Sequence, residues 1–221
     1  MSEQNDRIQV LHRPSKLGLG SAYIAGFKHA IQQDVDCIFE MDADFSHNPK
    51  ELKKNIEYFS TNALDLLIAS RYLKDSKIIN WGLNRRILSK LSNLLARYLL
   101  GIKLKDFTNG FRIYSKRAAE KIAKKCGNIG DGFIILSEII VVIKNNSFSI
   151  GETETIFVNR VRGESSVNFS LIVQSFFGLI KLFLIKDSSN NYLSALNFFH
   201  HFITKSGKCL NTTKTFISIP D

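Results

Sequence analysis

Two aspartates separated by one residue, Asp42 and Asp44, stand in MDADFSHNP directly after the apolar run Val35 to Met41. Hard carboxylate oxygens suit Mg2+ or Mn2+, and a metal held by one or two carboxylates keeps positions open for the oxygens of a diphosphate. Ser46 and His47 follow closely enough to add a ligand or a hydrogen bond. Alone the pair is a weak signal, because Asp is common in any turn after a strand. Its setting strengthens it. A strand would deliver both carboxylates to its carboxyl end, where open α/β sheets bind ligands. Asn48-Pro49 then reads as the cap and first turn of a helix.

The cations form a second set. Arg71 follows a buried strand, LDLLIAS, while Arg85 and Arg86 sit near the start of a long amphipathic pattern. Arg112 lies in DFTNGFRIY, and Arg160 and Arg162 in FVNRVRGESS. A guanidinium fits phosphate through two parallel N–H bonds. Each of these arginines also has a plainer reading as a solvated surface residue or, for Arg112, as the ion-pair partner of Asp106. Between Ser70 and Lys125 there are 15 Lys and Arg against 3 Asp and Glu, a local +12, whereas the rest of the chain carries −2. The segment therefore suits an anionic partner: nucleic acid, anionic lipid or a phosphorylated substrate. Glu138, the one acid in the apolar run FIILSEIIVVI, must be paired or protonated if buried, and otherwise lies on a helix surface. No Ser/His/Asp set and no Cys/His set at metal spacing is present, so the chemistry rests on carboxylates and guanidinium groups.

The elements that must position these groups alternate in type. Helical patterns are read at Ser21–Gln32, Asn48–Phe59, Trp81–Leu100, Lys116–Lys125 and Phe133–Ile143, with Gly101 ending the third. Strands are read at Val35–Met41, Leu64–Ser70, Phe111–Tyr114 and, as one alternating run, Ile150–Arg160. Strands alternating with helices predict an α/β domain with a largely parallel sheet. With 221 residues, 44% hydrophobic and 23% charged, the composition is globular. Three scattered cysteines exclude a disulfide scaffold and read as reduced thiols. The polar start MSEQNDRIQV is no secretory signal. LIVQSFFGLIKLFLI, Leu171 to Ile185, is shorter than the ~18 apolar residues of a span and carries Gln174 and Lys181. It reads as an interfacial helix or, alternatively, a helix packed on the core.

RPSKLGLGSAYIAGFKHA, MDADFSHNP, IASRYL, DFTNGFRIY and IGETETIFVNRVRGESS, in this order, resemble the family-2 glycosyltransferases, and within them the polyprenyl-phosphate (dolichol-phosphate) mannosyltransferases. The five blocks cover roughly Arg13 to Lys186 and are together far more specific than the paired aspartates. The resemblance implies a GT-A type fold and an inverting, metal-dependent transfer of a hexose, mannose from GDP-mannose, to a polyprenyl phosphate. It makes Asp44 and Arg71 catalytic. It makes Asp42, Asp44 and Ser46 ligands of Mg2+ or Mn2+, and Asp42, Arg85, Arg86, Arg112, Arg160 and Arg162 substrate-binding. Asp106, Thr108 and Arg112 would shape the acceptor side, and Glu138 would anchor an arginine of the site. Where the family usually has Lys after the Gly-x-Ser of the last block, this chain has Ser166.

The family's first strand–helix–strand unit, which holds base and ribose, has no counterpart here. The chain is therefore expected to be N-terminally truncated, to require that unit from a partner chain, and to be inactive or barely active alone. Residues 1–165 are expected to form a partial catalytic domain, 166–187 an amphipathic interfacial helix, and 188–221 a tail without clear period. A location at the cytoplasmic face of a membrane, peripheral, follows from the acceptor. Competing readings are an inactive or partner-dependent fragment, a polyprenyl-phosphate glucosyltransferase, and a nucleic-acid-binding module. The last lacks any recognisable binding motif, so nucleic acid is not expected as a partner.

Overall fold

The computed structural model describes residues 9–15, 17–130, 132–159 and 169–186, with backbone alone at 169–172 and 186. Four strands, β1 (Cys37–Glu40), β2 (Leu66–Ser70), β4 (Arg112–Ser115) and β5 (Ile150–Glu154), form a sheet in the order β1-β4-β2-β5. β4 is antiparallel to both neighbours, β1 and β2, while β2 and β5 are parallel. β1, β2 and β5 thus run the same way, and their carboxyl ends lie along one edge of the domain. Six helices accompany them: α1 (Gly18–Ala30), α2 (Glu51–Thr61), α3 (Leu83–Leu100), α4 (Lys116–Lys125), α5 (Ile134–Asn145) and α6 (Phe169–Lys186). The expected α/β, GT-A type architecture is what the chain adopts.

Every residue of β2 is buried, as its unbroken apolar run requires of a strand covered on both faces. Alternation divides its side chains. Leu66 and Ile68 join the main core with α1, α4 and α5, whereas Leu67 joins Ile113 and Phe59 beneath α2. α5 is buried from Ile134 to Ile143, which explains why that run shows almost no polar face. α3 buries only Asn93, Ala96 and Leu100 and ends at Gly101, whose left-handed φ of 61° a side chain would resist.

Several boundaries differ from the sequence reading, among them the start of α1 at Gly18, the shorter β1 and the unread strand β3 (Lys77–Ile79), and two of the differences have a visible cause. The segment read as one strand from Ile150 breaks at Thr155, and its continuation, β6 (Ile156–Val158), pairs in parallel with β3 as a separate two-stranded sheet. Glu51 supplies the reason. Its carboxylate accepts the Thr155 hydroxyl at 2.6 Å and the Ile156 N–H at 3.0 Å, which diverts the chain from the main sheet. α2 begins at Glu51, and Asn48 instead closes the preceding turn by accepting the Lys50 N–H at 3.1 Å.

The far end of β2 is fastened by Asp65. Its carboxylate accepts two bonds from Arg117 at 2.5 and 2.6 Å, the Ser115 hydroxyl at 2.8 Å and the Ser149 N–H at 3.0 Å. Burial alone would raise the Asp65 carboxyl, but these donors outweigh it and hold the pKa below the ordinary value. A depressed carboxyl contributes stability that is complete above the unfolded value of about 3.9 and is lost as pH falls through the lower folded value. Urea unfolding followed from pH 6 to pH 2.5 is expected to show an acid limb that Asp65→Asn flattens. An unchanged slope in the variant would contradict this role.

Candidate active site

A cavity of about 420 Å3 opens at the carboxyl ends of β1 and β2, between α3, α5 and α6. One end is polar and is lined by Asp42, Asp44, Arg71, Arg85, Thr108 and Asn109. The remainder is mainly apolar, with Leu88, Leu91 and Leu95 from α3, Phe133 and Ile134 beside the start of α5, and Phe176 and Leu179 from α6, interspersed with Ser89, Ser92, Ser137 and Ser175. Charged groups at one end of an otherwise greasy slot suit a ligand with an anionic head and a hydrocarbon body.

The paired aspartates lie where the sequence predicts. The Asp42 Oδ2 is 3.3 Å from His47 Nε2. The His47 ring is buried, stacked on Phe111 at 4.8 Å and met edge-on by Phe157 at 5.2 Å. Its Nδ1 has no hydrogen-bond partner, so Asp42 is the polar contact that this buried ring makes. The Asp44 Oδ1 accepts the Ser46 N–H at 3.0 Å, across a turn in which Phe45 holds φ 61°. A left-handed aromatic residue is strained, and such strain concentrates at functional turns. Ser46 itself is buried, and its carbonyl accepts the Val158 N–H at 3.0 Å. It fastens the turn to β6 and is not among the residues lining the cavity.

Arg71 is tied differently from the expectation of a free phosphate clamp. Its Nε and Nη2 donate to the two Asp106 oxygens at 2.8 Å each, its backbone N–H to Asp106 Oδ2 at 3.0 Å, and Nη2 also to Thr108 Oγ1 at 2.7 Å. Asp106 further accepts the Thr108 and Asn109 N–H groups at 3.1 Å, and the Asn109 amide donates to the Ala69 carbonyl. Burial alone would raise the Asp106 carboxyl; Arg71 and the backbone donors hold it below the ordinary range instead. Arg71 still lines the cavity, with Nη1 outside these bonds. Of the two arginines opening α3, Arg85 faces the cavity and lies 4.1 Å above the Trp81 ring while donating to Asn159 Oδ1 at 2.9 Å. Arg86 turns outward and donates to the Ile78 carbonyl at 2.6 Å.

Arg112 is not brought to the cavity, nor does it pair with Asp106. It is fully buried, and its three nitrogens donate to the backbone carbonyls of Asn109, Leu136 and Phe107 at 2.7, 3.0 and 2.9 Å. The sequence could not show that the nearer carboxylate would be taken by Arg71. Glu138 likewise holds no arginine; it is buried and accepts the Gly127 and Asn128 N–H groups at 3.1 and 3.3 Å. Arg160, Arg162 and Ser166 lie outside the described residues.

One group escaped sequence reasoning. Glu40 is one strand repeat before Asp42 and accepts the Tyr23 and Tyr114 hydroxyls at 2.7 and 2.5 Å. Burial pushes its carboxyl up to about 7 against the opposing pull of Arg112 and the two tyrosines. A Cβ at Gly110 would lie 3.2 Å from Glu40 Oε1 and 3.4 Å from Asp42 Oδ1, so this position admits only glycine without displacement. The alternation Glu40-x-Asp42-x-Asp44 was the available signal.

Residues 1–123 match the model of glycosyl transferase family 2. The chain belongs to this family. It is 37% identical over 172 residues to the polyprenol monophosphomannose synthase of Mycolicibacterium smegmatis, across 78% of this chain and 64% of that protein. It is 34% identical over 170 residues to the undecaprenyl-phosphate mannosyltransferase of Micrococcus luteus, across 76% of this chain and 68% of that protein. The match thus spans about two thirds of the length of these relatives. Two crystal structures of glucosyl-3-phosphoglycerate synthase from Mycobacterium tuberculosis share the fold. The complex with phosphoglyceric acid aligns at TM-score 0.52 and 13% identity over 84% of this chain and 59% of that one. The second aligns at TM-score 0.50 and 15% identity over 80% and 57%.

Two substitutions separate framework from cavity. Arg112→Met would take the guanidinium donors from the loop carbonyls of Asn109 and Phe107 and from the helical carbonyl of Leu136, and is expected to destabilise the fold by about 3–5 kcal/mol. Arg86→Ala, which removes an exposed side chain, is expected to stay within about 0.5 kcal/mol of the parent. Urea denaturation measures both. A native-like Arg112→Met would contradict the framework role.

Proposed function

We propose that this chain carries the acceptor-side and metal-binding part of a site that transfers a hexosyl group, mannose from GDP-mannose, to the phosphate of a polyprenyl phosphate. The observation that carries the reading is the two-part cavity: carboxylates and guanidinium groups at the sheet edge, continuous with an apolar slot between α3 and α6. The 34–37% identical relatives are named for mannose transfer to polyprenyl phosphates, which supports the same acceptor here.

The chemistry asks little of a general base. A phosphate monoester has its second pKa at about 6, so the acceptor oxygen is already anionic near neutral pH. Attack of that oxygen on the anomeric carbon, with departure of the nucleoside diphosphate from the opposite face, inverts the configuration. The difficulty is to hold two anions together. Arg85 presents a cation into the cavity, and Arg71 closes its polar end. The Asp42 and Asp44 carboxylates fit Mg2+ or Mn2+, since Mg2+ in phosphate sites takes one or two carboxylates and completes its shell with water and substrate oxygens. No cluster of three or more metal-ligating side chains occurs among the described residues. When bound, the metal would neutralise the leaving diphosphate. The slot would hold the first isoprene units. A peripheral position at the cytoplasmic face of a membrane goes with such an acceptor; no helix among the described residues is long and apolar enough to cross a membrane.

Trp81 is the sole tryptophan of the chain and lines the polar end, so its emission reports on the cavity. Titration with farnesyl phosphate in detergent is expected to change that emission saturably, and Arg85→Ala to weaken binding about tenfold or more. Equal response to farnesol would count against a phosphate subsite. With the expected partner segment supplied in trans, Asp44→Asn is expected to abolish Mn2+-dependent binding of GDP-mannose in calorimetry. Unchanged heats would remove Asp44 from the metal site.

A further inference from the structure

We propose that a basic recess on the flank of α3 holds the phosphate of an anionic phospholipid headgroup when the exposed apolar side of that helix meets the bilayer. The inference rests on the reading that the acceptor is carried by a membrane, but it concerns a recess beside the acceptor cavity, from which the apolar stripe with its shared residue Leu91 separates it.

α3 exposes a continuous apolar stripe. Leu83, Ile87, Leu91, Leu94 and Tyr98 are 71, 48, 57, 62 and 82% exposed. At 3.6 residues per turn these positions fall within an arc of about 80°. A soluble helix places such an arc against its core. Here the core-facing arc is a different one, formed by Asn93, Ala96 and Leu100. Between these two arcs stand Arg86, Lys90 and Arg97, all exposed, and α3 contains no acidic residue. On the other side of the stripe, Leu88 and Leu95 line the acceptor cavity. One helix therefore presents, in rotational order, core, cations, exposed hydrocarbon and cavity wall. That order matches a helix lying in an anionic interface, with hydrocarbon inserted and cations at headgroup level.

The cations do not merely fringe the stripe. A second cavity of about 260 Å3 is lined by Lys90, Arg97 and Lys105, with Tyr72, Asn93, Leu94 and Leu104 completing its wall. Leu94 belongs to both the recess and the stripe. The side chains of Lys90, Arg97 and Lys105 make no ion pair among the described residues. The nearby Glu152 carboxylate is occupied by the backbone N–H groups of Lys105 and Asp106 at 3.0 Å. Three uncompensated cations around a pocket that adjoins an exposed apolar stripe suit a phosphodiester whose acyl chains continue past Leu94. A second copy of the chain is the weaker occupant, because it would set the basic flank against an identical basic flank.

The test is partition of the whole 221-residue chain onto vesicles that contain no polyprenyl phosphate, so that failure here is separable from failure of acceptor binding. Phosphatidylcholine vesicles with about one third phosphatidylglycerol are compared with pure phosphatidylcholine by co-sedimentation. Each cation near an anionic surface contributes about a fivefold gain. Lys90→Gln, Arg97→Gln and Lys105→Gln together are therefore expected to lower binding to the anionic vesicles about a hundredfold. The control triple Lys121→Gln, Lys124→Gln and Lys125→Gln on α4 is expected to change it less than tenfold. Leu91→Ser with Leu94→Ser is expected to reduce binding to both vesicle types. Circular dichroism and melting confirm that each variant is folded. Equal losses from the α3 and α4 triples, or binding indifferent to phosphatidylglycerol, would overturn the headgroup site. Competition by soluble glycerol phosphate equal to that by vesicles would assign the recess to a free anion. A concentration-dependent dimer abolished by the double Leu substitution, with no vesicle binding, would assign the stripe to a second copy.

Discussion

The buried pair of Arg71 and Asp106 is the constraint on which the site depends. Arg71 follows the last residue of the fully buried strand β2, so its backbone position is fixed by the sheet. Asp106 sits in the loop after α3 and meets Arg71 through a two-pronged ion pair with a third bond from the backbone. Neither charge is accessible enough to be stabilised by water, so each requires the other, and removing one would cost about 3–5 kcal/mol. The consequence is geometric. The loop from Asp106 to Gly110 is drawn against the end of β2, and it carries Thr108, Asn109 and Gly110 into the cavity wall beside Asp42.

Around that fixed point the chain distributes two kinds of arginine. Arg112 and Arg71 serve the framework with most or all of their donors, whereas Arg85 keeps its guanidinium at the cavity, resting on Trp81. The same division holds among the acids. Glu40, behind Asp42, is sheltered by two tyrosines, and burial pushes its carboxyl up to about 7. Asp42 remains half exposed at the cavity, its direction set by the buried His47. A polar site at the edge of a sheet is thus backed by groups whose polar atoms are almost all satisfied. His47 Nδ1 and Trp81 Nε1 are the buried exceptions among the described residues, and both belong to the aromatic cluster under the site.

Much of this was legible in the sequence because it depends on local pattern. The apolar run Leu64–Ser70 reads as a buried strand, the spacing from Leu83 to Tyr98 as a helix with one apolar side, and Asp42 and Asp44 follow a strand end. What stayed hidden depended on long-range choice between equivalent partners. Asp106 had Arg71 and Arg112 within plausible reach, and only the fold decides that Arg71, 35 residues away in sequence, takes it. Whether α3 buries its apolar stripe was equally undecidable, since periodicity shows that a stripe exists but not what covers it. The break at Thr155 was hidden for the same reason: Glu51, more than a hundred residues earlier, captures it.

The central claim is that one cavity joins an anion-binding end to an apolar slot that receives a lipid chain. Photolabelling with a polyprenyl phosphate bearing a photoreactive group on its second isoprene unit tests it most directly, with adducts mapped by mass spectrometry. The account predicts adducts on the cavity side of α3 and on α6, at Leu88, Leu95, Phe176 or Leu179, suppressed by unlabelled polyprenyl phosphate. Adducts confined to other surfaces, or labelling that excess polyprenyl phosphate does not suppress, would contradict it.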